Sequence, residues 1–101
     1  MRGITITYKY SGPEEDWRNA MESFISAIDN DSEIAGKFTY QVSVADDGET
    51  RIHWGRWDSQ DTLKALQSRD YFSAFAAKVK QFAGGQPQTT GADIHFKTQG
   101  W

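Results

Sequence analysis

Residues 37–57 read KFTYQVSVADDGETRIHWGRW, and this stretch decides the fold. Phe38, Tyr40, Val42 and Val44 alternate with Thr39, Gln41 and Ser43, which is the period-two signature of a strand with one apolar face. Asp46-Asp47-Gly48-Glu49 supplies the residues of a tight turn. A second alternating run, from Thr50 to Trp57, sets Ile52 and Trp54 on one side and Arg51 and His53 on the other. Two antiparallel strands joined by a hairpin are predicted. Gly55 is a candidate bulge, and it controls where Trp57 points. With a bulge, Trp57 turns to the helices beside Trp54; without one, it shares the face of His53.

Upstream, Gly3 to Tyr10 alternates Ile4, Ile6, Tyr8 and Tyr10 with Thr5, Thr7 and Lys9, a first strand. Ser11-Gly12-Pro13-Glu14 offers either a capping box from Ser11 to Glu14 or a proline in the first helical position. Trp17, Ala20, Met21, Phe24, Ile25 and Ile28 then fall at helical spacing, and the helix ends around Asp29-Asn30-Asp31. The next strand runs from Lys37 to Ala45. Downstream, Asp58-Ser59 is an N-cap for a short helix around Gln60–Arg69. A second helical stretch carries Phe72, Phe75, Ala76, Val79 and Phe82 at core spacing and stops at Gly84-Gly85 and Pro87. A last strand is predicted near Ala92–Thr98, with Ile94 and Phe96 opposite Asp93, His95 and Lys97.

The order is βαββαβ: one α+β domain over residues 1–101, ferredoxin-like, with a four-stranded antiparallel sheet and helices on one face. The pattern predicts that the helices cover Ile4, Ile6, Val42, Ile52 and Ile94. Thr5, Thr7, Lys9, Thr39, Gln41, Ser43, Arg51, His53, Asp93, His95 and Lys97 are left on the other face. Such a polar face meets water or a symmetry mate through a hydrogen-bonded interface.

At 101 residues the chain supports one core, and its 14% aromatic content makes large rings the main source of buried area. The net charge of −3 argues against a nucleic-acid partner, since phosphate binding needs clustered Lys and Arg. The absence of cysteine closes thiol chemistry and thiolate metal sites. No apolar run approaches membrane-spanning length, so no membrane partner and a cytoplasmic location are expected.

The segment Arg56-Trp57-Asp58-Ser59-Gln60-Asp61-Thr62-Leu63, followed by Ser68-Arg69-Asp70-Tyr71-Phe72, resembles the dimeric α+β barrel superfamily. Its antibiotic-biosynthesis-monooxygenase-like domains carry a strand-ending Trp, a capping turn, an amphipathic helix and a Ser-x-x-Tyr/His-Phe segment. The resemblance implies a homodimer with the sheets face to face and a cleft between each sheet and its helices. Some members oxidise aromatic polyketides or quinols with molecular oxygen, needing no metal, flavin or other cofactor. The polyketide-oxidising relatives place an Asn and a Trp four residues apart on strand three, and His53 and Trp57 occupy those positions here. The resemblance thus marks His53 and Trp57 as the catalytic candidates. Haem-degrading relatives have an axial His where this chain has Gln67, and an Asn on a first strand that here has none, so haem degradation is not expected.

Imidazole changes charge near neutral pH, so His53 could act as base or hydrogen-bond donor; the plainer reading is a polar-face residue at an interface. Trp54, Tyr40, Tyr8 and Trp17 are candidates to line an aromatic ligand's cleft, and Arg56 to hold an anionic one; each has an ordinary reading as core, interface or solvated charge. Two histidines without a carboxylate cluster make no metal site. Two further uses of this element order are disfavoured: the Arg51–Trp57 strand lacks the alternating aromatics of an RNA-recognition module, and Tyr10–Arg18 lacks a Gly-rich phosphate loop. The leading expectation is an oxygenase-like dimer acting on an aromatic or quinol-type small molecule. The rival is a non-enzymatic barrel protein whose cleft is filled by its own side chains.

Overall fold

The computed structural model describes residues 1–100. Strand β1 (Arg2–Lys9) is followed by α1 (Glu14–Asp29), the hairpin β2 (Phe38–Val44) and β3 (Thr50–Trp57), the helices α2 (Gln60–Gln67) and α3 (Asp70–Ala83), and β4 (Gln88–Asp93). The strands form one antiparallel sheet in the order β2-β3-β1-β4, as a ferredoxin-like chain requires. The helices cover one face. Their stripes bury Trp17, Met21, Phe24 and Ile28 from α1 and Phe75 and Val79 from α3 against Tyr8, Phe38 and Trp57 of the sheet. Ala76, expected in that stripe, is exposed.

The turns obey local chemistry. In the hairpin loop the Asp47 carboxylate accepts from the backbone N–H of Glu49 and Thr50 and from the Thr50 hydroxyl, and Gly48 takes the positive φ. Ser59 caps α2 by accepting from the Thr62 N–H, while the Thr62 hydroxyl donates to Asp58. At the start of α1 neither predicted cap forms: Pro13 stands just before the first helical residue, without a side-chain cap bond. Glu14 is instead drawn to Arg51 of β3, on the sheet face beneath it.

Two expectations about the sheet are overturned. Strand β3 faces the other way: Arg51, His53, Gly55 and Trp57 pair with Tyr8, Ile6, Ile4 and Arg2 of β1 and with Val44, Val42, Tyr40 and Phe38 of β2. Paired residues share a face, so the odd-numbered residues of β3 lie under the helices, and Ile52, Trp54 and Arg56 lie on the outer face. The register is unbroken through Gly55, so there is no bulge, and Trp57 shares the face of His53. The last strand is also earlier than predicted. Asp93 pairs with Arg2, the last rung that β1 offers, after which only the Ile94 N–H bonds back, to the Met1 carbonyl. The alternation of Ile94 and Phe96 therefore falls beyond the sheet, and Phe96 is 95% exposed.

Candidate functional site

His53 sits at the middle of β3, opposite Ile6 and Val42, with no solvent exposure. Its two ring nitrogens are both engaged: Nε2 lies 2.8 Å from the Tyr8 hydroxyl and Nδ1 lies 2.6 Å from the Tyr40 hydroxyl. The Trp17 indole of α1 donates to the same Tyr8 oxygen at 2.9 Å. Gly55 makes this possible, because a Cβ there would stand 3.0 Å from the Tyr40 ring. Without that side chain, Tyr40 leans across β3 to reach Nδ1.

Arg51 closes the network at one end. Its guanidinium lies 4.3 Å above the Trp17 ring and donates through both terminal nitrogens, at 2.9 Å each, to the Glu14 carboxylate. Further bonds go to the carbonyls of Tyr10, Gly48 and Glu49, which satisfies a cation that is 2% exposed. The Arg51 hydrogen bonds hold Glu14 below the usual carboxylate range.

Burial sets the protonation state of the centre. Removal from water disfavours the imidazolium and brings the His53 pKa down to about 4, so His53 is neutral at pH 7. The same desolvation pushes Tyr40 far above the ordinary tyrosine range. Tyr8 is raised by burial too, with its Trp17 hydrogen bond and the Arg51 charge pulling the other way.

Above the network, Phe24 of α1 and Phe75 of α3 stack in parallel at 3.8 Å. Phe75 lies 5.9 Å from both the His53 and Tyr40 rings, and Phe24 meets Tyr40 edge-on at 5.1 Å. The other side of this pair faces an open groove of about 670 Å³ between α1 and α3. Tyr10, Tyr71 and Phe82 add aromatic wall, and Asp16, Asn19, Ser23, Lys78 and Gln81 add polar groups. The groove's volume falls within the range of small-molecule clefts.

Solved structures share this architecture over nearly their whole length. A candidate antibiotic biosynthesis monooxygenase from Deinococcus radiodurans superposes with a TM-score of 0.74 at 13% identity, covering 98% of this chain and 97% of the other. An antibiotic biosynthesis monooxygenase gives 0.72 at 9% identity, covering 94% and 99%. SnoaB, a cofactor-independent oxygenase from Streptomyces nogalater, gives 0.69 at 8% identity, covering 99% and 97%. The chain has the fold of the antibiotic-biosynthesis-monooxygenase-like domains. No protein-family model and no curated protein matches the sequence.

Within this monooxygenase-like fold the candidate residues divide. His53, Tyr8, Tyr40 and Trp17 are brought together in one hydrogen-bonded chain. Trp57 shares their face but stands at the other end of β3, 8% exposed and stacked on Phe38 at 6.0 Å. Trp54 and Arg56 do not join them. They line a separate groove of about 450 Å³ on the outer face, beneath Ile94, Phe96 and Thr98. Arg56 is 7% exposed, its Nε 3.3 Å from the Thr39 hydroxyl, rather than a solvated charge. Among the described residues no cluster of His, Cys, Asp and Glu could hold a metal ion, and no helix is long and apolar enough to cross a membrane.

Sequence reasoning missed Arg51 and Glu14 as site residues and took Phe24 and Phe75 for plain core. The available signal was hairpin parity: with Tyr40 and Val42 facing inward, the Ala45–Glu49 loop sets Arg51 and His53 on their side.

Proposed function

We propose that the protein is an oxygenase-like enzyme that binds an aromatic or quinol-type small molecule between α1 and α3 and acts on it without a metal or flavin. The observation that carries this reading is the buried Tyr8–His53–Tyr40 chain directly beneath the aromatic floor of the groove. In such a reaction the substrate's own anion supplies electrons to dioxygen, and the protein's part is to bind the ring, exclude water and hold hydrogen bonds to the reacting oxygen. The neighbours' names support the same chemistry, since SnoaB is a cofactor-independent oxygenase. His53, as a neutral imidazole locked between two hydroxyls, fits a positioning role better than that of a free base.

The working unit is a homodimer. Ile52 and Trp54 on the outer face retain partial exposure, and a second copy would cover them. The experiment is native mass spectrometry followed by oxygen-electrode assays with 9-anthrone and 1,4-naphthohydroquinone. A dimer that consumes oxygen with either compound, and loses at least tenfold in rate when Tyr40 is changed to Phe, supports the reading. Oxygen uptake no faster than in buffer excludes it.

A second reading has its own support: the Phe24–Phe75 stack fills the space between the groove and His53. A non-enzymatic barrel protein plugged by its own rings predicts a dimer with neither retained ligand nor oxygen uptake.

A further inference from the structure

The outer face of the sheet carries charge of one sign. Pairing places Lys9 of β1 and Arg56 of β3 there, and the tail after β4 brings Lys97 over it. No Asp or Glu stands among the strand residues of that face, although the chain as a whole has a net charge of −3.

Register also shapes this face. Two neighbouring rungs run Trp54–Thr5–Thr90 and Arg56–Gly3–Ala92 across β3, β1 and β4. The large side chains stand on β3 and the small ones on β1 and β4, so the floor drops beside Trp54 and Arg56. Gly3 is its lowest point: a Cβ there would stand 3.3 Å from the Ile94 side chain and 3.7 Å from the Arg56 Cβ, so the missing side chain lets Ile94 settle beside Arg56. The Ile94 N–H bond to the Met1 carbonyl fixes where the tail begins, and Phe96 and Lys97 form the second wall. The result is the outer groove of about 450 Å³, which has Trp54, Ile94 and Phe96 as apolar surface and no carboxylate in its lining among the described residues.

We infer that this groove is a second ligand site and that it takes a fatty-acid-type molecule, its carboxylate held by Arg56 and Lys97 and its apolar chain lying over Gly3 and Thr5 against Trp54 and Phe96. A guanidinium presents a fork of donors that matches a carboxylate. Arg56, at 7% exposure beside an apolar wall, is less hydrated than a surface arginine, so the pairing is stronger there than in open water. The low strip spans only two strands, set about 5 Å apart, which favours a narrow body. The site is built within one chain and lies across the sheet from His53, so it rests neither on the groove between α1 and α3 nor on the homodimer.

The test is titration of the native protein with sodium octanoate and with 1-octanol, read by amide chemical shifts. Octanoate is expected to bind about tenfold tighter than octanol, the size of a charge-assisted hydrogen bond, and to move the amides of Gly3, Thr5, Trp54 and Thr90. Arg56→Gln is expected to remove the preference for octanoate. Lys97→Glu, at an exposed tail position where folding is not at stake, is expected to weaken octanoate about threefold while leaving octanol unchanged. Equal affinities for the two compounds overturn the role of the cations. Shifts confined to α1 and α3 put the chain in the other groove and overturn the site, as does the absence of octanoate binding at millimolar concentration.

Discussion

The two faces of β3 reverse the usual rule. Arg51, His53 and Trp57 face inward at 2%, 0% and 8% exposure, while Ile52 and Trp54, more apolar than two of those three, face outward and stay partly exposed. The inward polar groups are tolerated because each is matched: Arg51 by Glu14, three carbonyls and the Trp17 ring, His53 by two hydroxyls. Hydrophobicity alone does not choose a face. Completed hydrogen bonding can outweigh it.

If the inner face depends on that matching, breaking it should cost far more than altering the outer face. Arg51→Ala should have the largest effect, destabilising by about 3 kcal/mol or more in urea unfolding, since it empties the buried space beneath the Trp17 ring and removes the bonds to Glu14 and three carbonyls. A loss under about 1 kcal/mol would mean the buried guanidinium is dispensable. Acidification comes next. The folded His53 pKa of about 4 lies below its unfolded value near 6.5, so between these the unfolded chain binds the extra proton. Stability should be whole above pH 6.5 and fall by about 3 kcal/mol as pH drops to 4, a decline absent in His53→Gln. Equal acid sensitivity in both proteins would assign the decline to carboxylates.

Gly55→Ala should cost about 2 kcal/mol, because its Cβ would stand 3.0 Å from the Tyr40 ring and must push it away from His53. Its Tyr40 fluorescence and ring chemical shifts should move with it, and unchanged shifts would count against the clash. The smallest effect belongs outside: Ile52→Thr should change unfolding by less than about 1 kcal/mol in dilute protein. A larger loss that grows with protein concentration would instead reveal a second copy on that face.

The elements were legible because their signals are local. The period of Phe38–Val44, the Asp47 turn, the Ser59 cap and the glycine stop at Gly84 each act within a few residues, and each is where the sequence puts it. The facing of β3 was not legible from β3 itself. Alternation says which residues share a face, and only pairing with β2 says which face that is. The Ala92–Thr98 strand was misplaced for a similar reason, since its limit is set by the start of β1, some ninety residues away. Of the candidate site, the aromatic members were readable as a cleft, but the Arg51–Glu14 partnership joins residues 37 positions apart and leaves no local trace.

Strand β4 shows the opposite economy. Every one of its residues is exposed, and among the described residues it is held by its ladder with β1 and the Arg2–Asp93 pair. A segment with so little burial opens independently of the rest, so its amides should exchange with solvent long before those of β3. Each opening would bare the flank of β1 for another strand to occupy, while the histidine centre, one strand further in, stayed closed.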